Sequence, residues 1–139
     1  MRMTDGEAKR RFGAARVARL ATVRADGSPH VVPIVFALAA DVLYTAVDRK
    51  PKSTTALTRL ANIAANPAVS VLVDEYADDW DQLWWVRADG LARVVDGDAA
   101  AGAVERLTAR YPVYALDPPP GPVLAIEVAR WTGWSAAPL

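Results

Sequence analysis

The run Asp48-Arg49-Lys50-Pro51-Lys52-Ser53-Thr54-Thr55 concentrates the groups in this sequence that suit an anion. Three cations, Arg49, Lys50 and Lys52, stand beside three hydroxyls, at the end of one predicted strand and the start of a predicted helix. Unpaired N–H groups at a helix start and the helix dipole both favour negative charge there. Arg59 lies further along the same helix, within reach of its start. A solvated basic turn would have the same composition, and the residue types alone leave both readings open. The sequence contains neither a Gly-x-x-x-x-Gly-Lys-Ser nor a Gly-x-Gly-x-x-Gly pattern, so the P-loop and the dinucleotide fingerprint are absent.

The five tryptophans, Trp80, Trp84, Trp85, Trp131 and Trp134, all fall in the second half of the chain. Trp84 and Trp85 are adjacent on a predicted strand and must point to opposite faces. One of them suits the core, and the other suits a partner chain or a flat aromatic ligand. His30 is the only histidine, and its place at the entry to a strand fits a polar surface residue as well as an acid–base group. The acidic tip Asp78-Asp79-Trp80-Asp81 lacks the glycine and distal glutamate of a calcium loop and reads as a solvated hairpin end.

Composition narrows the chemistry further. The chain has 139 residues, a length that suits one domain over 1–139. Sixteen basic and sixteen acidic side chains cancel, which argues against recognition of nucleic acid or membrane through the overall field. With no cysteine and one histidine, disulfides, thiolate nucleophiles and zinc sites built within one chain are excluded. No metal site is expected. No signal-like leader and no long apolar run is present, so a cytoplasmic location is expected. Demanding chemistry would have to come from a cofactor.

The elements that must position these groups follow from period and punctuation. Thr4-Asp5-Gly6-Glu7 reads as a capping box for a helix reaching about Arg16, with Ala8, Phe12 and Ala15 on one face. Strands are predicted at Val17–Arg24, His30–Ala39 and Val42–Val47, the first two joined by an Asp26-Gly27 hairpin turn. Leu57, Leu60, Ala61 and Ala64 mark a helix over Lys52–Asn66 that Pro67 stops. Strands over Ala68–Glu75 and Leu83–Val95 flank the acidic tip. A third helix is expected from Asp98, as N-cap, to Arg110, with Val104, Leu107 and Tyr111 inward. A proline-rich surface loop then leads to a last strand, Val123–Trp134. The fold expected is mainly β with flanking helices, its sheet antiparallel and closed or nearly closed.

Several segments together resemble the pyridoxamine 5'-phosphate oxidase-like superfamily of split β-barrels (FMN-binding-like), and within it the F420-dependent deazaflavin oxidoreductases. They are Ala18-Arg19-Leu20-Ala21-Thr22-Val23, Pro29-His30-Val31-Val32-Pro33-Ile34-Val35-Phe36, Leu43-Tyr44-Thr45, Lys50-Pro51-Lys52, Arg59-Leu60-Ala61-Asn62-Ile63, Asn66-Pro67 and Asp79 to Gly90. They occur in the family's order over nearly the whole chain. The resemblance implies a homodimer with the cofactor at the subunit interface. It implies that the strand Val31, Val32, Pro33, Ile34, Val35, Phe36 lies along the flavin ring, largely through backbone groups. Tyr44 and Thr45 would lie beside the ring and phosphate. Thr58 and Arg59 would meet the phosphate, an assignment that rests on the distance from Arg59 to Pro67. Lys50, Lys52 and Ser53 fall in or beside an insertion of about eight residues relative to the flavin mononucleotide oxidases, and a basic cluster of that kind suits the polyanionic tail of F420. Trp85 occupies the place of a ring-edge glutamine.

The Arg-Leu-His-Asp-Arg-type element that completes the vitamin site of the oxidases is missing after Trp131, so pyridoxamine phosphate oxidation is not expected. The activity implied is hydride transfer between F420 and a small unsaturated organic substrate. The alternatives are an FMN-dependent enzyme of the same fold, or a non-catalytic binder of flavin, deazaflavin or haem. No side chain stands out as general acid, although His30 and Tyr44 have suitable chemistry.

Overall fold

The computed structural model describes residues 1–47, 54–119 and 121–139, with backbone alone at 54–57. Helix α1, Asp5–Ala14, begins where the Thr4 hydroxyl accepts the Glu7 N–H. The Glu7 carboxylate is engaged by Arg10 and Arg11, so the second arm of the expected capping box is diverted to ion pairs. Strands β1, Ala18–Val23, and β2, Pro29–Ile34, form the expected hairpin. Gly27 takes φ +88°, the left-handed conformation its turn requires.

The single strand predicted over His30–Ala39 is two strands. The chain breaks at Val35-Phe36 and resumes as β3, Ala37–Ala39, which pairs with β4, Val42–Ala46. Helix α2, Thr54–Ala65, is followed by β5, Ala68–Glu75, a short 3-10 turn at Trp80–Gln82, and the long strand β6, Trp84–Val95. Helix α3, Gly97–Arg110, is preceded by Asp96 as N-cap in place of the expected Asp98. An unpredicted short helix α4, Val113–Leu116, precedes β7, Val123–Ser135.

Among the described residues, seven strands join one antiparallel sheet in the order β2-β1-β5-β6-β7-β4-β3. Its two edges, β2 and β3, are consecutive in sequence and separated by two residues. A sheet whose edges are tied that closely must curl until they meet, which gives the barrel. Between Asp89 and Gly90 the β6–β7 register shifts. A Cβ at Gly90 would strike the Glu127 carbonyl oxygen, so the shift needs glycine.

Alternation along the strands fills the interior. Ala18, Leu20, Val32, Ile34, Val71, Val73, Val86 and Ala88 point inward and are buried, and Phe12 of α1 packs on Phe36 and Trp131 at 5.0 and 5.3 Å. A second, smaller cluster holds Ala103, Leu107 and Tyr111 beneath α3. Val104, expected inward, is half-buried at its margin.

Candidate functional site

The corner between β2 and β3 is fixed by side chains from distant parts of the chain. The Thr45 hydroxyl donates to the Val35 carbonyl at 2.7 Å. The Tyr111 phenol accepts the Phe36 N–H at 3.2 Å, and its single proton is shared between the carbonyls of Phe36, at 2.9 Å, and Arg16, at 3.0 Å. Arg110 donates to the Phe36 carbonyl at 2.7 Å and to the Ala15 carbonyl, and its guanidinium lies 4.7 Å from the centre of the Phe36 ring. Arg110 and Tyr111 lie 74 and 75 residues from Phe36, so propensity alone could not place the break.

The residues singled out from sequence divide clearly. Val32, Ile34 and Phe36 send their side chains into the core, while Val31 is 60% exposed and Pro33 is exposed. Val35 and Tyr44 are half-buried against the smaller core. Thr45 is buried with its hydroxyl committed to Val35, so its contribution to a ligand would come through the backbone. Thr58 and Arg59 are half-buried on α2. Lys50, Lys52 and Ser53 lie outside the described residues.

Thr45 meets the chain at Val35, just beyond the C-terminal end of β2, whereas Arg59 lies near His30 at the other end of that strand. Trp85 is brought to neither end. It faces outward from β6, and β1 and β5 stand between it and β2, roughly three strand spacings or about 14 Å. Its neighbour Trp84 faces the core and donates its indole N–H to Glu75 at 2.8 Å, as opposite-face alternation requires. Trp85 instead pairs across the strands with Trp134, which is 40% exposed, beside an open groove of about 310 Å³ walled by Leu72, Asp74, Tyr76 and Arg87. The acidic tip is exposed, and Asp79 caps its own turn by accepting the Asp81 N–H.

His30 opposes Thr22 in the β1–β2 register, so both face α2. Thr22 accepts a hydrogen bond from Asn62 of α2 at 3.0 Å, and both residues are buried. The His30 imidazole keeps its Nδ1 buried, with no hydrogen-bond partner among the described residues. Partial burial pushes its pKa down, and the nearby charges of Arg24 and Arg59 push it further the same way. Sequence reasoning had placed Arg59 at an anion site but had no signal for Arg24 and His30 beside it, because that proximity comes from α2 lying on the hairpin.

Asp89 forms a second charged centre, on the outer face. It accepts from Ser70 at 2.6 Å and from Arg87 at 3.2 Å, with Arg130 at 3.5 Å. Its partial burial would raise its pKa, but these hydrogen bonds and charges hold it below the ordinary aspartate value. Among the described residues, no group of three or more histidine, aspartate or glutamate side chains is arranged to hold a metal ion. No described helix is long and apolar enough to cross a membrane.

The sequence matches no curated protein. Among solved structures, an FAD-binding protein of Mesorhizobium loti superposes with a TM-score of 0.75 at 23% identity, covering 96% of this chain and 95% of that one. An FAD-binding protein of Mycobacterium smegmatis gives 0.68 at 16% identity, covering 96% and 97%. A haem storage protein of Vibrio cholerae gives 0.70 at 19% identity, covering 97% and 95%. At these identities the likeness carries the fold, a mainly antiparallel split barrel shared by binders of different ligands. A family model described as pyridoxamine 5'-phosphate oxidase matches residues 4–135, and the chain belongs to that family.

Proposed function

We propose that this chain is an oxidoreductase that binds a flavin-type cofactor along β2, and that the cofactor is the deazaflavin F420. The observation that carries the reading is the convergence of Arg24, His30 and Arg59 at one end of β2 in a chain of zero formal net charge. An anion set among these groups is attracted by both arginines and has an imidazole beside it to protonate. That suits the phosphodiester of F420, and the sequence places Arg49, Lys50 and Lys52 shortly before α2 for its polyanionic tail.

In this reading β2 aligns the ring through its backbone, and Arg59 and Arg24 hold the anionic end. When bound and reduced, the cofactor supplies a hydride to an unsaturated organic acceptor. The chain's own part is to orient the ring, exclude water and fix the distance to the acceptor. The exposed outer face, with Val31, Leu72, Trp85 and Trp134, suits a homodimer interface, and Trp85 would reach a ring bound along β2 only across such an interface.

Parallel fluorescence titrations with F420 and flavin mononucleotide test the cofactor, and reduced F420 offered with a panel of enones and quinones tests turnover. Binding of F420 in the micromolar range with acceptor-dependent oxidation is expected. Preference for flavin mononucleotide would move the reading to the FMN-dependent alternative. Tight binding without turnover would make the protein a carrier.

A further inference from the structure

We infer that the cleft between the C-terminal end of α1, the last residues of β5 and the first of β6 binds a free amino acid with an apolar or aromatic side chain. The site is independent of the cofactor reading. Arg16 and Val17 precede β1 at the end where Ala18 opposes Ile34, whereas Arg24 and His30 stand at the other end, where Val23 opposes Pro29. The β1–β5 ladder runs from Ala21 opposite Ser70 to Arg19 opposite Leu72 and stops there. Continued in the same register, it would set Arg16 opposite Glu75, a cross-strand pair of opposite charge. Among the described residues, however, Arg16 forms no ion pair. A cleft of about 510 Å³ opens at that place instead, with Arg11, Arg16, Val17, Asp74, Glu75 and Trp84 in its lining.

One wall of the cleft is cationic. Arg16 donates to the Arg110 carbonyl at 2.8 Å and lies over the Tyr111 ring at 4.8 Å, which leaves most of its donors uncommitted. Arg11 gives its Nε–H to Glu7 at 2.7 Å and lies over the Trp84 ring at 5.4 Å. Glu7 also serves Arg10, so one carboxylate answers two guanidiniums. The facing wall is anionic. Glu75 accepts the Trp84 indole through Oε2 and keeps Oε1 for a ligand, and Asp74 beside it has no ion pair among the described residues. A simple anion such as phosphate is drawn to the first wall and repelled by the second, and a simple amine meets the reverse. An amino acid carries carboxylate and ammonium on one carbon, and so bridges the gap that Arg16 and Glu75 leave open. Val17 and the half-buried Trp84 give its side chain an apolar surface.

The test titrates the full chain by isothermal calorimetry with three ligands. They are L-phenylalanine, N-acetyl-L-phenylalanine, which keeps only the carboxylate, and L-phenylalaninamide, which keeps only the ammonium. L-phenylalanine should bind saturably, and each single-charge analogue about tenfold more weakly. Glu75→Gln keeps an acceptor for the Trp84 indole while removing the charge. It should weaken L-phenylalanine about tenfold and leave N-acetyl-L-phenylalanine within roughly twofold of its native affinity. Arg16→Gln should weaken L-phenylalanine to a similar degree and leave L-phenylalaninamide unchanged. If Arg16→Gln does not fold, Glu75→Gln, at an exposed position, decides alone. Absence of saturable L-phenylalanine binding, equal affinity for the three ligands, or unchanged affinity in Glu75→Gln overturns the inference. None of these results alters the titrations with F420 and flavin mononucleotide, so the two readings stand or fall separately.

Discussion

The Tyr111 phenolic oxygen stands 3.2 Å from the Phe36 nitrogen and 2.9 Å from the Phe36 carbonyl oxygen, so one side chain serves both backbone groups of a residue 75 positions away. Phe36 itself is fully buried, and water cannot replace what the phenol supplies. Tyr111→Phe keeps the ring and removes the hydroxyl, leaving the Phe36 N–H stranded while Arg110 still serves the carbonyl. A loss of about 1–3 kcal/mol is expected from an orphaned buried donor. Urea unfolding measures it, and a change below about 0.5 kcal/mol would show that the corner does not depend on the phenol.

Gly90 sits where the β6–β7 register shifts, with the Glu127 backbone in the space a side chain would need. Gly90→Ala must push β7 away or shift the register again. A loss of about 1–3 kcal/mol or more is expected from such overpacking. Thermal unfolding compared with Gly102→Ala, a helical position with open space around it, separates a local clash from a general effect of replacing glycine.

His30 makes stability depend on pH in a predictable direction. Burial, then Arg24 and Arg59, lower its pKa in the folded chain below the ordinary histidine value of 6.5. The unfolded chain therefore takes up the proton first, and it holds more protons than the folded chain between the lowered value and 6.5. Stability should be unpenalised above that window, fall as pH drops through it, and carry the full penalty below the folded value. Chemical unfolding at a series of pH values between 8 and 5 (all approximate settings around the histidine range) should show this fall. His30→Gln should flatten it, and an unchanged profile in that variant would assign the slope to other groups.

Arg59→Ala should weaken F420 or flavin mononucleotide binding by about 1.5–3 kcal/mol if the guanidinium meets the anion. Lys52→Ala carries the same expectation for the insertion. Isothermal titration at two salt concentrations checks it, because a lost phosphate contact also lowers the salt dependence. Unchanged affinity in both variants would return the basic run to a solvated turn.

Much of this fold could be read along the chain because its signals are local. The Asp26-Gly27 turn, the helical spacing of Leu57, Leu60, Ala61 and Ala64 ended by Pro67, and the opposite faces of Trp84 and Trp85 all depend on neighbours within a few residues, although that helix buries Asn62 and Ile63 and leaves Ala61 and Ala64 exposed. The break at Val35-Phe36 could not be read, because both residues favour strand and the groups that hold the corner come from β4 and the C-terminal end of α3. Glu7 misled for a related reason. Arg10 and Arg11 lie one helical turn on and compete for the carboxylate. The candidate site was legible only in part: Arg59 came from the family resemblance, through its spacing to Pro67, whereas His30 joins it only once α2 lies over the hairpin.

The shared corner of the two sheet edges also bears on the order of folding events. The β1–β2 and β5–β6 hairpins close over short loops, whereas the Phe36 tether waits for residues 74 and 75 positions downstream. Contacts of such separation form late and slowly. The ring of strands should therefore be completed in the last step of folding, as α3 arrives. In pulse-labelled hydrogen exchange, the Phe36 amide should gain protection after the amides of β5 and β6, and in Tyr111→Phe it should lag further.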